Sequence, residues 1–192
     1  MINAAIKQYA LHGYHGATMR KIADEVGIKP PSIYFFFKNK EELFVAAFQQ
    51  LLDNHFEEMR CIVKENEDKP VEQIFTAMIQ GIVSHHKGDM EGTDAYISLV
   101  TSPIKEISTY LYNHMIRYNE WLVTTLESLL QVEYPNISSS EMDRIVKKFV
   151  LIGNGVFWGV KLYDDEDLKE QVVLANQIIH ALFEELNGKY IQ

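Results

Sequence analysis

Between residues 18 and 40 the chain carries Thr18, Arg20, Lys21, Lys29, Ser32, Tyr34, Phe35, Lys38 and Lys40. Arg and Lys neutralise phosphates, and hydroxyls donate to phosphate oxygens. Arg20, Lys21, Lys29 and Lys38 are suited to hold phosphates. Phe is among the side chains that meet the thymine methyl, the one apolar feature of the major groove. The placement of two cations sharpens the reading. Thr18 is a good N-cap for a helix beginning at Met19, so Arg20 and Lys21 fall in its first turn. Cations there oppose the helix dipole, and a local rule broken in one place marks function. A phosphate at that helix end would meet free N–H groups, the dipole and both cations. The chemistry is that of a nucleic-acid interface.

These side chains need elements to aim them. Ala23, Gly27 and Ile33 lie four and then six residues apart. One helix can cross another closely at a small residue such as Ala23, and a tight turn takes a residue such as Gly27 that tolerates positive φ. Ile22 and Val26 complete an apolar stripe, with Ile28, Ile33 and Phe36 as the facing core of the second helix. The pattern is that of a helix-turn-helix. If Ile33, Phe36 and Phe37 face the core, Phe35 turns outward to a thymine methyl, with Lys29 and Ser32 as polar readers beside it.

Residues 2–48 resemble the DNA-binding head of the TetR family of transcriptional regulators. The family's opening helix ends at a Gly-aromatic pair, matched by Gly13-Tyr14, and Thr18 matches its capping threonine. Ile22, Ala23 and Gly27 match its Ile-Ala pair and turn glycine. Ile33-Tyr34-Phe35-Phe36-Phe37 and Lys38-Asn39-Lys40-Glu41-Glu42-Leu43 match the end of its recognition helix and the segment after it. The resemblance implies that Tyr34 and Lys40 hold the DNA backbone. It also implies a double-stranded DNA operator, a small-molecule effector and a homodimer. This chain departs from the pattern at Lys29-Pro30-Pro31, where the family commonly has Ser or Thr and then a small residue. Pro suits the first helical position, but Lys29 cannot cap as Ser would. Phe35 stands where the family often has a more polar residue or His. The chain begins almost at the first helix, without a basic arm, so no minor-groove contact from a tail is expected.

Composition agrees. The 192 residues are 47% hydrophobic, enough for a small head and a larger bundle. One cysteine, Cys61, excludes an intramolecular disulfide and suits a reducing compartment. There is no signal peptide and no long apolar run, so a cytoplasmic protein without membrane contact is expected. The net charge is −9, unevenly spread. Residues 1–50 hold six Lys/Arg against four Asp/Glu, a net of +2, and the remainder holds twelve against twenty-three, a net of −11. An acidic body is repelled by DNA and turns the basic head toward it; the same charge also keeps a body soluble. So mild a head needs a dimer to pool its phosphate contacts.

The fold class is all-α: an N-terminal three-helix helix-turn-helix head, residues 1–48, and a C-terminal helical ligand-binding and dimerisation bundle, residues 49–192. Helix 1 covers about residues 2–12 and ends at Gly13. Asn39-x-x-Glu42 is a capping box opening a helix that fades near residues 66–69. That helix leaves the head for the body and is the obvious mechanical link. Further helices are expected from Pro70 to Gly88, over 90–101 before Pro103, over 104–132, from the Ser138-x-x-Glu141 box to about Tyr163, and from an Asp164 or Asp165 cap to about Gly188.

Gly153, Gly155 and Gly159 interrupt one helix at a cost of about 1 kcal/mol each relative to Ala. Close helix approach or room for a ligand would account for them. The last helix is apolar on more than one face. The resemblance implies a four-helix dimer interface from the final two helices of each subunit, including Gly155, Gly159, Val172, Ile179 and Leu182; filling the monomer core is the alternative. Tyr96, Tyr110, Tyr118, Trp121, Phe149 and Phe157 suit an effector pocket, and equally an ordinary core. His85, His86 and His114 lack the spacing of a metal site. No metal, cofactor or enzymatic motif is expected. The leading expectation is an effector-released repressor. A ligand-independent or architectural DNA-binding dimer is the alternative, disfavoured by a body larger than dimerisation needs.

Overall fold

The computed structural model describes residues 1–101 and 104–191, and among these are nine α-helices and no strand. They are α1 (Ile2–Gly16), α2 (Met19–Glu25), α3 (Pro30–Ile33), α4 (Lys40–Glu65), α5 (Val71–Gly88), α6 (Met90–Thr101), α7 (Lys105–Glu133), α8 (Ser139–Leu162) and α9 (Asp165–Tyr190). The all-α expectation holds. Pro103 lies outside the described residues.

Local chemistry sets the helix boundaries. Gly13 has φ 63° and ψ 177°, a region almost reserved for glycine, and breaks α1 before one last turn. Thr18 Oγ1 accepts the Lys21 N–H at 3.2 Å and starts α2. At α4, Asn39 Oδ1 accepts the Glu42 N–H at 2.8 Å, and Glu42 Oε2 accepts the Lys38 N–H at 2.7 Å. This box closes one residue earlier than the usual reciprocal pair. Ser138 Oγ accepts the Glu141 N–H at 3.3 Å. The Glu141 carboxylate turns to the far end of α9, where Tyr190 Oη donates to it at 2.6 Å and Lys189 Nζ also donates. Arg144 adds a 3.0 Å contact. Asp164 Oδ1 caps α9, accepting from the N–H groups of Glu166 and Asp167.

The chain divides into two compact units. The first comprises Met1–Phe56 and Asp89–Ile116. It holds the whole expected head together with residues 49–56, α6 and the first part of α7. Its core gathers Tyr9, Ile22, Ile33, Leu43, Phe44, Phe48 and Leu52 with Ala95, Leu99 and Ile107. Tyr9 meets Phe48 edge-on, ring centres 4.7 Å apart. The second unit comprises Glu57–Gly88 and Arg117–Gln192. There α5, α8 and α9 pack together. Phe75 lies 4.6 Å from Phe149 and 5.2 Å from Phe183 at their centre. The Val71 N–H, unpaired within α5, donates to Glu133 Oε2 at 2.7 Å. The chain of α4 passes from the first unit to the second after residue 56, and that of α7 after residue 116.

Candidate nucleic-acid interface

The helix-turn-helix grammar is realised in detail. Ile22, Ala23 and Ile33 are completely buried, so α2 and the segment after it meet through the residues whose spacing proposed the crossing. Gly27 takes φ 71°, a conformation L side chains rarely adopt, and nothing lies near enough to obstruct a Cβ there. Backbone conformation, rather than space, is what calls for glycine at this turn.

The recognition segment is tighter than a regular helix. After Ile33 the N–H groups of Tyr34, Phe35 and Phe36 bond back three residues, to Pro31, Ser32 and Ile33. Such turns hold three residues each. Tyr34 is 53% exposed, Phe35 88% and Phe36 64%. Phe35 points outward as expected. Phe36 does not: expected in the core, it is carried past the edge of the core by the change of helical phase, while Phe37 stays half-buried.

The cations fall into two groups. Arg20, Lys21, Lys29 and Lys38 are exposed. Arg20 makes a loose 4.0 Å pair with Asp24, and Lys21 Nζ donates to the Gly16 carbonyl at 3.2 Å. Thr18 is exposed and Ser32 half-buried. Lys40 is different. Its ammonium donates to the Tyr14 carbonyl and lies over the Tyr14 ring, 4.3 Å from the centre, and burial lowers its pKa. Lys7 is tied to Glu25 at 2.5 Å, joining α1 to α2; the hydrogen bond and the charge of Glu25 raise the lysine's pKa and lower its own. This tie was not legible in the sequence, because its partners lie eighteen residues apart.

The expected effector residues are split between the units. Tyr96 and Tyr110 belong to the first, where Tyr96 Oη lies 3.9 Å from Met115 Sδ and burial raises its pKa. The second holds Tyr118 and Trp121, 5.8 Å apart, Phe149 in the core, and Phe157 edge-on to His86 at 4.7 Å. Burial, helped by the charge of His85, lowers the His86 pKa to about 4. No group of residues able to hold a metal occurs among the described residues.

The expected dimer residues are corrected in part. Val172 and Ile179 lie within the second unit's own core, Ile179 with no exposure at all. Gly159 is buried too: a Cβ there would come within 2.8 Å of Gln171 Oε1 and 3.3 Å of Leu168 Cδ1 on α9. Leu182 is half-buried. Only Gly155 faces open space. The exposed apolar residues of these helices are instead Leu151, Trp158 and Leu162 on α8, and Val173, Leu174 and Ile178 on α9. A helix apolar on two faces buries one in its own unit, and only packing decides which.

Fold and site define an all-α protein with an N-terminal helix-turn-helix head. Residues 1–47 match the family model described as bacterial regulatory proteins, tetR family. The match covers the head, and residues 1–47 belong to that family's N-terminal domain. It is 35% identical over 65 residues to the fatty acid metabolism regulator protein of Bacillus subtilis, covering 34% of each chain. It is 29% identical over 92 residues to the transcriptional activator FasR of Mycolicibacterium smegmatis, covering 48% of this chain and 41% of that one. The match thus spans between a third and two fifths of the length of these relatives. The fold is also similar to the solved FadR of Bacillus subtilis in complex with stearoyl-CoA, with a TM-score of 0.62, 21% identity and coverage of 94% of this chain and 95% of that one.

Proposed function

We propose that this protein is a homodimeric transcriptional regulator of the cytoplasm that holds a palindromic operator through residues 1–48 and is released by a small molecule bound within residues 49–192, acting as a repressor. One observation carries the reading: a Thr18-capped α2, a left-handed turn at Gly27 and a recognition segment that exposes Tyr34 and Phe35 among Arg20, Lys21, Lys29 and Lys38. The exposed cations neutralise phosphates and fix the register; the outward side chains of the recognition segment read base edges. So few cations per head make the second head necessary.

The exposed apolar residues of α8 and α9 support a dimer. Leu151, Trp158 and Leu162 recur at helical spacing, and Gly155 falls in the same stripe with open space before it. Two heads must enter successive major grooves about 34–36 Å apart, so an effector that changes their separation weakens binding steeply. The stearoyl-CoA complex of the Bacillus subtilis fold neighbour makes long-chain acyl-CoA the first effector class to test.

The test combines three measurements on the full chain. Selection from a random duplex library should enrich a palindrome. Sedimentation should give a dimer. Titration with small molecules, beginning with acyl-CoA of increasing length, should release the selected duplex. Failure to enrich any duplex sequence would overturn the regulator reading. Enrichment without release by any acyl-CoA would remove only that effector class.

A further inference from the structure

We infer that Phe35 and Phe36 act as a pair, each meeting a different thymine methyl, so that every operator half-site carries two A·T pairs beneath the recognition segment. The inference rests on the DNA-binding reading above and deepens it by naming what the head reads.

The exposure of these rings is specific. The first unit has a well-formed aromatic core, with Phe44 and Phe48 completely buried and Tyr9 at 2%. The adjacent Phe35 and Phe36 nevertheless stand 88% and 64% exposed. Ile33 is locked inside, and the three-residue turns beyond it carry both rings off the core. Phe36 lines a shallow groove of about 440 Å³ together with Met1, Ile2, Asn3 and Phe37. In the sequence the pair stands between two exposed cations, Lys29 six residues before Phe35 and Lys38 two residues after Phe36.

An apolar spot bordered by cations fits a partner whose apolar features are bordered by anions. The major groove is such a surface, with thymine methyls on its floor and phosphates along its edges. A purely apolar protein groove would leave the lysines without a counterpart. Successive residues in a three-residue turn differ by about 120° in direction and about 2 Å in height. The two rings therefore cannot share one methyl, and they address different base pairs.

The methyl group can be removed from the DNA without touching the protein. In the selected duplex, each thymine is replaced in turn by uracil, and the dissociation constant is measured for wild type, Phe35→Ala and Phe36→Ala. Two positions per half-site should each weaken wild-type binding about fourfold, the effect of one buried methyl group. Phe35→Ala should be blind to uracil at one of them and Phe36→Ala at the other. If no uracil weakens wild type, or if both variants still respond at both positions, the pairing is overturned while sequence-selective binding stands. If wild type selects no sequence at all, the DNA-binding reading fails and takes this inference with it. The wild-type series needs no variant to fold.

Discussion

The ammonium of Lys40 donates to the carbonyl of Tyr14 and sits 4.3 Å from the centre of the same residue's ring. One cation thereby fastens the start of α4 to the turn that follows Gly13, and burial lowers its pKa. The lysine assigned to a phosphate by resemblance is also part of the head's packing.

Lys40→Ala should therefore have two effects. The protein should lose about 1–2 kcal/mol of stability, from one hydrogen bond and one cation–π contact. If Lys40 also holds a phosphate, binding weakens about equally for all sequences and the salt slope falls by about one per site. Lys38→Ala, at an exposed position, should change the slope without changing stability. Urea melts beside salt titrations separate the two. An unchanged slope with lost sequence preference would contradict the phosphate assignment for Lys40.

The glycines of α8 should respond differently to the same change. Gly159→Ala meets the movable end of Gln171 and the side chains of Leu168 and Tyr163 at close range, which should offset most of the helix-propensity gain of about 1 kcal/mol. Gly155→Ala meets nothing within the chain, and should raise the stability of the isolated subunit by about 0.5–1 kcal/mol through helix propensity. Thermal melts of the two variants suffice. Equal destabilisation by both would mean that the open space before Gly155 is filled by a partner.

Charge placed on the outward face should split a dimer without unfolding its subunits. Leu151→Glu and Ile178→Glu alter residues that are 73% and 51% exposed. They should sediment as folded monomers and bind the operator more weakly. Ile179→Glu, one residue along but wholly buried, should unfold the chain instead. Intact dimers from both outward variants would move the interface elsewhere.

His86 should make the protein acid-sensitive. Its pKa falls from 6.5 to about 4 in the folded state. Between these values the unfolded chain takes up a proton that the folded chain refuses, so stability falls as pH falls. From pH 7 to pH 5 the loss should be about 2 kcal/mol, in a range where most carboxylates remain ionised. His86→Leu should remove that part of the pH dependence. A variant with the wild-type slope would place the acid sensitivity on another group.

The sequence by itself determined the fold class, the helix-turn-helix and most helix boundaries, the ends of α1 and α3 excepted. Thr18, Asn39, Ser138 and Asp164 each bind an N–H two or three residues away. Gly13 and Gly27 need only their own dihedral angles. Interactions this short are written in local residue order, and alternatives elsewhere in the chain do not compete with them. Phe35 points outward as the core placement of Ile33 and Phe37 implied, although Phe36, put in the core by the same reasoning, is exposed.

Tertiary structure decided the rest. Phe36 left the core because the recognition segment tightens after Ile33, a phase change of a few residues that no periodicity resolves. Val172 and Ile179 could not be told from Val173 and Ile178 by residue type, since all four are apolar on a helix with two apolar faces. Only the packing of α5 and α8 against α9 chose the inner pair. Gly153, Gly155 and Gly159 read as one motif but meet Ile82, open space and α9 respectively. Lys40 read, by resemblance, as a holder of the DNA backbone, and only the fold brings it to Tyr14, twenty-six residues earlier. In each case the residue's type was known and its neighbour was not, because that neighbour comes from a distant part of the chain.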